Sequence, residues 1–155
     1  MLILLTGFKP LSTPMLTRKE LLLQHTNRND IIMRKLKIPE LNRISIEEFK
    51  EADKLPLVVV LDDIRSLHNI GSVFRTADAF RIECIYLCGI TATPPHPEMH
   101  KTALGAEDSV DWVYFQDTCE AVDNLLAAGY EVYAIEQVEG SISLTDIKLD
   151  KNKKY

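Results

Sequence analysis

The sequence predicts an α/β fold, a parallel β-sheet with flanking helices, preceded by a short helical N-terminal arm. Apolar strand-like runs such as Leu57–Leu61 alternate with segments whose apolar residues recur at helical spacing, which is typical of βαβ units. The 155 residues are 46% hydrophobic and 26% charged, values of an ordinary globular domain with its own core. The three cysteines and the lack of a long apolar run favour a cytoplasmic protein that does not enter a membrane.

Charge divides the chain into a predicted arm, residues 1–55, and a predicted α/β domain, residues 56–155. The arm has 10 basic and 7 acidic residues, whereas the domain has 8 and 16. A basic arm on an acidic body is typical of a segment that faces nucleic acid, although a solvated helical face has the same composition. Capping-box spacing predicts helices in the arm after Thr17 and after Ser45. Met33 offers a second start, so residues 1–32 are a candidate upstream extension.

The domain is predicted to contain four strands, at Leu57–Leu61, Cys84–Leu87, Trp112–Phe115 and Glu131–Ile135. Three helices are predicted between them, at Gly71–Phe80, Glu98–Leu104 and Asp117–Ala128. In the first helix Val73, Ala77 and Phe80 share one side, which indicates its buried face. The final residues from Leu149 to Tyr155 are interpreted as a polar lead-in to a further strand.

The segment from Asn69 to Phe80 carries the pattern Asn-x-Gly-x-x-x-Arg-x-x-x-x-Phe, shortly after the first predicted strand ends. Ligands of α/β folds bind at the carboxyl ends of strands. Gly71 can take a positive φ or let a phosphate approach the backbone, and Arg75 offers a bidentate fork to phosphate. The alternative interpretation is a glycine turn with a surface arginine that pairs with Asp62 or Asp78.

With its strand context, and with Asp62 and Arg65 upstream, this pattern resembles the first motif of the SpoU-type (TrmH-like) RNA 2'-O-methyltransferases of the SPOUT superfamily. The resemblance covers residues 34–155, and Lys101–Glu107 is similar to the family's basic segment that ends in Gly-Ala. It implies the Rossmann-like part of an α/β trefoil-knot fold and a homodimeric parent enzyme. It also implies methyl transfer from S-adenosylmethionine to a ribose 2'-hydroxyl of tRNA or rRNA.

The resemblance further implies roles for individual residues. Arg75 would be catalytic, gripping the adjacent phosphate and stabilising the developing alkoxide, because a guanidinium stays protonated and is a poor general base. Asn69 would orient Arg75 or the ribose by hydrogen bonds. The first edge of the S-adenosylmethionine pocket would be formed by Ile135, Glu136, Gln137 and Gly140. RNA contacts are predicted for Arg34, Lys35, Lys37, Arg65, Gly71 and Lys101.

The family's second motif, an Asn-Glu followed by Gly, and its third, a Ser-Leu-Asn run, do not occur in these 155 residues. In the family these segments complete the cofactor pocket, thread the knot and form the dimer interface. We therefore expect the chain alone to be an incomplete domain without methyltransferase activity or the family dimer.

Two other classes stay open: a non-catalytic RNA-binding or interaction module, and a receiver-like domain suggested by Asp62 and Asp63. We expect no metal site, because Pro97 stands where a zinc-protease helix has glutamate between its histidines.

Overall fold

The computed structural model describes residues 34–37, 40, 44–150 and 152–155. The chain divides into two compact units, residues 1–43 and 44–155. The second unit has the following elements: α1 Ile46–Glu51, β1 Leu55–Asp62, α2 Leu67–Phe80, β2 Ile82–Cys88, α3 Pro97–Ala103, α4 Ala106–Ser109, β3 Trp112–Phe115, α5 Thr118–Ala127 and a 3₁₀ turn at Leu144–Asp146.

A three-stranded parallel sheet in the order β1-β2-β3 forms the centre of this unit, which confirms the predicted α/β class. The register pairs Val59 with Ile85, and Ile85 with Trp112. The first three predicted strands and all three predicted helices are present. The inward placement of Phe80 was wrong, since its side chain is 67% exposed. The buried face of α2 is formed instead by Ile70, Gly71, Phe74 and Ala77.

The fourth predicted strand, Glu131–Ile135, is not formed. Tyr130 makes an isolated parallel bridge with Lys154, and Tyr155 pairs with the open edge of β1 through Pro56 O and Val58 N at 3.0 and 2.6 Å. The end of the chain thus leads into a strand position, as predicted. Residues 132–138 have no neighbouring strand within the described part of the chain, and a strand forms only where a ladder satisfies its backbone groups.

Helix α1 belongs to the core of the second unit. Ser45 and Glu48 form the predicted capping box, and Phe49 is 5% exposed within the same hydrophobic cluster as Phe74 and Ile85. The compact unit accordingly begins at residue 44, because burial of Phe49 joins this helix to the sheet.

The predicted helix after Thr17 and the second start at Met33 lie outside the described residues. Among the residues that are described, no helix is both long enough and apolar enough to cross a membrane.

Candidate functional site

The candidate site is built on the connection from β1 to α2. Asp63 leaves the strand in the left-handed region with φ 49°, and Ser66 caps α2 by accepting a hydrogen bond from the Asn69 N–H at 3.3 Å. Helix α2 therefore starts at Leu67, four residues before the predicted start. Asn69 lies in its first turn and Arg75 about two turns along it, so Gly71 is not at the helix N-terminus.

Gly71 is a packing residue, and both structural reasons for predicting a phosphate contact there were wrong. Its backbone is helical, and φ is not positive. A Cβ at this position would lie 2.2 Å from Thr102 Oγ1 and 2.3 Å from the Met99 carbonyl oxygen. Helix α3 thus covers the position that a Cβ of residue 71 would occupy. The absence of a side chain at Gly71 lets the two helices approach closely.

A clamp between two loops, formed by Asp63 and Thr91, fixes the approach to α2. Asp63 Oδ1 accepts the Ile90 N–H at 2.9 Å. Thr91, which is 2% exposed, donates to the Leu61 carbonyl at 3.0 Å and accepts from the Ile64 N–H at 2.9 Å. Since these bonds join the β1–α2 loop to the β2–α3 loop, the start of α2 is held against the carboxyl edge of the sheet.

A third loop is attached to the same edge. Thr118, the first residue of α5, donates its hydroxyl to Asp62 Oδ1 at 2.6 Å. The neighbouring Cys88 is fully buried, and this burial raises the pKa of its thiol. The loops that follow β1, β2 and β3 therefore meet at one edge, where the parallel strand order places their carboxyl ends.

Arg75 is exposed on α2 and makes no side-chain hydrogen bond or ion pair with any described residue. The two acids that could have paired with it have other partners. Asp62 accepts from Thr118, and Asp78 accepts from Ser109 Oγ at 2.9 Å. The guanidinium is therefore presented to solvent.

Asn69 and Arg75 are six positions apart on α2, which places their side chains about 120° apart around the helix. No hydrogen bond joins their side chains among the described residues. Arg65 lies in the loop before α2 and is also exposed. The structure thus brings Arg65, Asn69 and Arg75 into one loop and helix without direct contacts between their side chains among the described hydrogen bonds.

Lys101 lies on α3, which packs against α2, and its side chain forms an ion pair with Glu98. Its Nζ is 2.6 Å from Glu98 Oε1, while His68 Nε2 of α2 lies 3.7 Å from Glu98 Oε2. The Lys101 ammonium holds the pKa of Glu98 below its usual range, and His68 and His96 act in the same direction. Lys101 was predicted from sequence, whereas the convergence of His68 on Glu98 was not, since it depends on how α2 and α3 pack.

The two histidines spaced like a metal pair have separate tasks. His96 caps α3, its Nδ1 accepting the Glu98 N–H at 3.2 Å. His100 Nδ1 contacts the carboxylate of Glu107, which is buried and also accepts the Gly105 N–H at 3.0 Å. In the described part of the chain, no group of three or more metal-ligating side chains occurs.

The predicted cofactor residues lie in an irregular segment. All four are exposed: Ile135, Glu136, Gln137 and Gly140. The Gln137 N–H donates a hydrogen bond to the side chain of its neighbour Glu136. No described hydrogen bond joins them to the β1–α2 loop or to α2. These four residues alone therefore do not fit an adenosyl group, because they lack the strand that would align their backbone groups.

The predicted basic residues of the arm belong to the first compact unit. Arg34 forms a two-pronged ion pair with Glu40, and this contact holds the pKa of Glu40 at about 2. Lys35 and Lys37 are exposed, and the Lys37 N–H also donates to Glu40. The guanidinium of Arg34 is therefore already neutralised within its own segment.

Comparison with known proteins identifies the family of the second unit. Residues 56–155 match the SpoU rRNA Methylase family. The chain is 27% identical over 103 residues to the 23S rRNA (guanosine-2'-O-)-methyltransferase RlmB of Vibrio parahaemolyticus, a match that covers 66% of this chain and 42% of that protein. It is 28% identical over 93 residues to the uncharacterized tRNA/rRNA methyltransferase slr0955 of Synechocystis, covering 57% of this chain and 23% of that protein.

The chain spans less than half the length of either relative. The family match nevertheless covers the sheet except for Leu55, the three loops at its carboxyl edge and the helix that carries Asn69 and Arg75. The chain therefore belongs to the SpoU rRNA methylase family.

Proposed function

We propose that the chain supplies the RNA-positioning part of an RNA methyltransferase, which transfers a methyl group from S-adenosylmethionine to a ribose 2'-hydroxyl of tRNA or rRNA. The observation that carries this proposal is Arg75, an exposed guanidinium without a partner among the described residues, on the helix that follows β1. The names of the relatives support an RNA substrate, and that of RlmB supports the 2'-hydroxyl.

Arg75 would act by position and charge. A ribose hydroxyl becomes a good nucleophile only as negative charge develops on its oxygen, and a fixed guanidinium stabilises that charge. The same fork can hold the adjacent phosphate by two parallel hydrogen bonds, which aligns the hydroxyl for attack. Arg65, in the loop before α2, would hold a further phosphate. Asn69 is left with a direct contact to the ribose.

S-adenosylmethionine is proposed as the methyl donor on the strength of the family match. When bound, it supplies a methyl group already activated by its sulfonium. Ile135, Glu136, Gln137 and Gly140 stay candidates for its contacts. Their present arrangement supports no step of the reaction, so we derive none through the cofactor. That the 155-residue chain is inactive alone, does not form the family dimer and is cytoplasmic also stay predictions.

The test measures transfer of a labelled methyl group from S-adenosylmethionine to tRNA and 23S rRNA transcripts. It compares the 155-residue chain with a protein that includes any residues the reading frame encodes beyond Tyr155, each as wild type and with Arg75→Ala or Arg75→Lys. In the active protein we expect both variants to lose at least about 100-fold in kcat/KM, because a point charge cannot replace the fork. Arg81→Lys, at the C-cap of the same helix, is the matched control.

Near-normal turnover by Arg75→Lys would overturn the role of the fork. A different result would favour the non-catalytic RNA-binding module: salt-dependent RNA binding by both proteins, with no binding of S-adenosylmethionine in calorimetric titration and no methyl transfer.

A further inference from the structure

Glu98 lies between basic groups from two helices. Its two carboxylate oxygens face different partners: Oε1 faces Lys101 Nζ of α3 at 2.6 Å, and Oε2 faces His68 Nε2 of α2 at 3.7 Å. All three side chains are substantially exposed, at 45% for Glu98, 57% for His68 and 61% for Lys101. The Glu98 carboxylate thus lies between a lysine ammonium within hydrogen-bond distance and a histidine ring nitrogen 3.7 Å away, at a point that solvent reaches.

The spacing of the two donors is set by backbone packing. Thr102 Oγ1 of α3 donates to the His68 carbonyl of α2 at 2.9 Å. Gly71 allows close approach of the two helices one turn further on. The backbone of His68 is therefore held relative to α3 by contacts that do not involve Glu98, so the positions from which the two side chains extend would keep their separation after the carboxylate had left.

A phosphodiester has the chemistry to take the place of the Glu98 carboxylate. It too presents two anionic oxygens to two donors, and both an ammonium and an imidazole N–H donate well to phosphate. Breaking the ion pair between Lys101 and Glu98 costs little free energy, because exposed ion pairs contribute only a small stabilisation. The Glu98 side chain is long and exposed, so it can turn away into solvent.

We propose that His68 and Lys101 form a phosphate subsite for an RNA strand, and that Glu98 occupies this subsite until RNA displaces it. The proposal rests on the proposed function, since it names the contact that the RNA substrate would make. Residues 68, 72 and 75 lie at i, i+4 and i+7 on α2. The subsite accordingly lies on the same side of the helix as Arg75, about 10 Å along its axis.

The test is the affinity of the chain for a fluorescently labelled tRNA or rRNA transcript, followed by anisotropy over a range of salt concentrations. Glu98→Gln should bind about three- to fivefold more tightly than wild type, because the competing anion is gone. Lys101→Ala should bind more weakly, with the slope of log affinity against log salt reduced by about 0.7 to 0.9.

The control is Glu120→Gln, which removes the same charge from an exposed position on α5. It should leave the affinity near that of wild type. In a Lys101→Ala background the gain from Glu98→Gln should shrink or vanish, since the donor that Glu98 masks is absent. An equal gain from Glu98→Gln and Glu120→Gln, or no gain from Glu98→Gln, would overturn the subsite.

A second probe separates this proposal from the proposed function. Inorganic pyrophosphate is titrated into the protein while NMR follows the ring resonances of His68. RNA binding that depends on Arg75 but not on Glu98 or Lys101 overturns the subsite and leaves the function standing. If the chain binds no RNA but pyrophosphate shifts His68, more strongly in Glu98→Gln, the anion subsite stands and the RNA function fails. No response to either probe overturns both.

Discussion

Replacement of Gly71 by alanine should destabilise the domain, although the same change in an isolated helix would stabilise it. In α2 the new Cβ would lie 2.3 Å from the Met99 carbonyl oxygen, whereas ordinary contacts begin at 3.4 Å. Because this oxygen belongs to the backbone of α3, the two helices must separate by about 1 Å. The Thr102 hydroxyl, 2.2 Å from the Cβ, must also move and would strain its bond to His68.

The net effect follows from two opposed terms. Alanine gains about 1 kcal/mol over glycine in a helix interior. Overpacking of a well-packed site costs about 1–3 kcal/mol, and backbone displacement favours the upper end. We therefore expect Gly71→Ala to lower the free energy of unfolding by about 2 kcal/mol. For a unit of this size, about 4 °C per kcal/mol corresponds to a fall in Tm of about 8 °C.

The assay is thermal unfolding followed by circular dichroism, with Ser72→Ala as the control. Ser72 is the next residue of α2, is exposed, and donates only to the His68 carbonyl within its own helix. Its replacement should change stability by no more than about 0.5 kcal/mol. A Tm for Gly71→Ala at or above that of wild type would refute the reasoning, because helix propensity would then outweigh the close packing of α2 and α3.

Two further predictions concern the sheet. Thr91→Val should lower the free energy of unfolding in urea by about 2–3 kcal/mol, because it leaves the Leu61 carbonyl and the Ile64 N–H without their partner. Thr91→Ser should retain most of this stability. A loss below about 0.5 kcal/mol for Thr91→Val would contradict the clamp. Burial raises the pKa of the Cys84 thiol from 9.0 to about 11. The contribution of the neutral thiol to the stability of the folded state is therefore fully present below pH 9 and is lost as the pH rises through about 11. The unfolding free energy of wild type should therefore fall relative to that of Cys84→Ala over that range, and parallel curves would show that the Cys84 thiol is not kept neutral by burial.

Local features of the fold were predictable from local sequence. The capping box of Ser45 and Glu48 and the helix cap of Asp117 need only residues within one turn. The strand at Trp112–Phe115 was predicted with the observed bounds. The start of α2 was misplaced at Gly71, where a positive φ or the approach of a phosphate was expected, whereas Ser66 supplies the cap. The sequence around a helical glycine can be the same as that around a turn glycine. Only the residues that pack against Gly71, which belong to α3, show that this glycine is a helix-contact residue.

The candidate site was predictable only in part. The motif spacing placed Asn69 and Arg75 near the carboxyl end of β1. The motif spacing could not predict the clamp. In it, Asp63 accepts a hydrogen bond from Ile90, a partner 27 positions away in the sequence, and Asp63 takes a positive φ although it is not a glycine. The segment at Glu131–Ile135 has strand-like composition, yet without a neighbouring strand among the described residues its backbone has no ladder to join.

Residue order alone was sufficient for the α/β class, the parallel strands and the family, because apolar periodicity, caps and a spaced motif are properties of short segments. Tertiary packing decided which groups meet. It assigned Gly71 to the contact between α2 and α3, left Arg75 exposed while Asp62 and Asp78 accept hydrogen bonds from other residues, and brought His68 and Lys101 together on Glu98. The physical reason is that each of these contacts joins residues from different elements, whose separation depends on the packing of helices against one another and against the sheet.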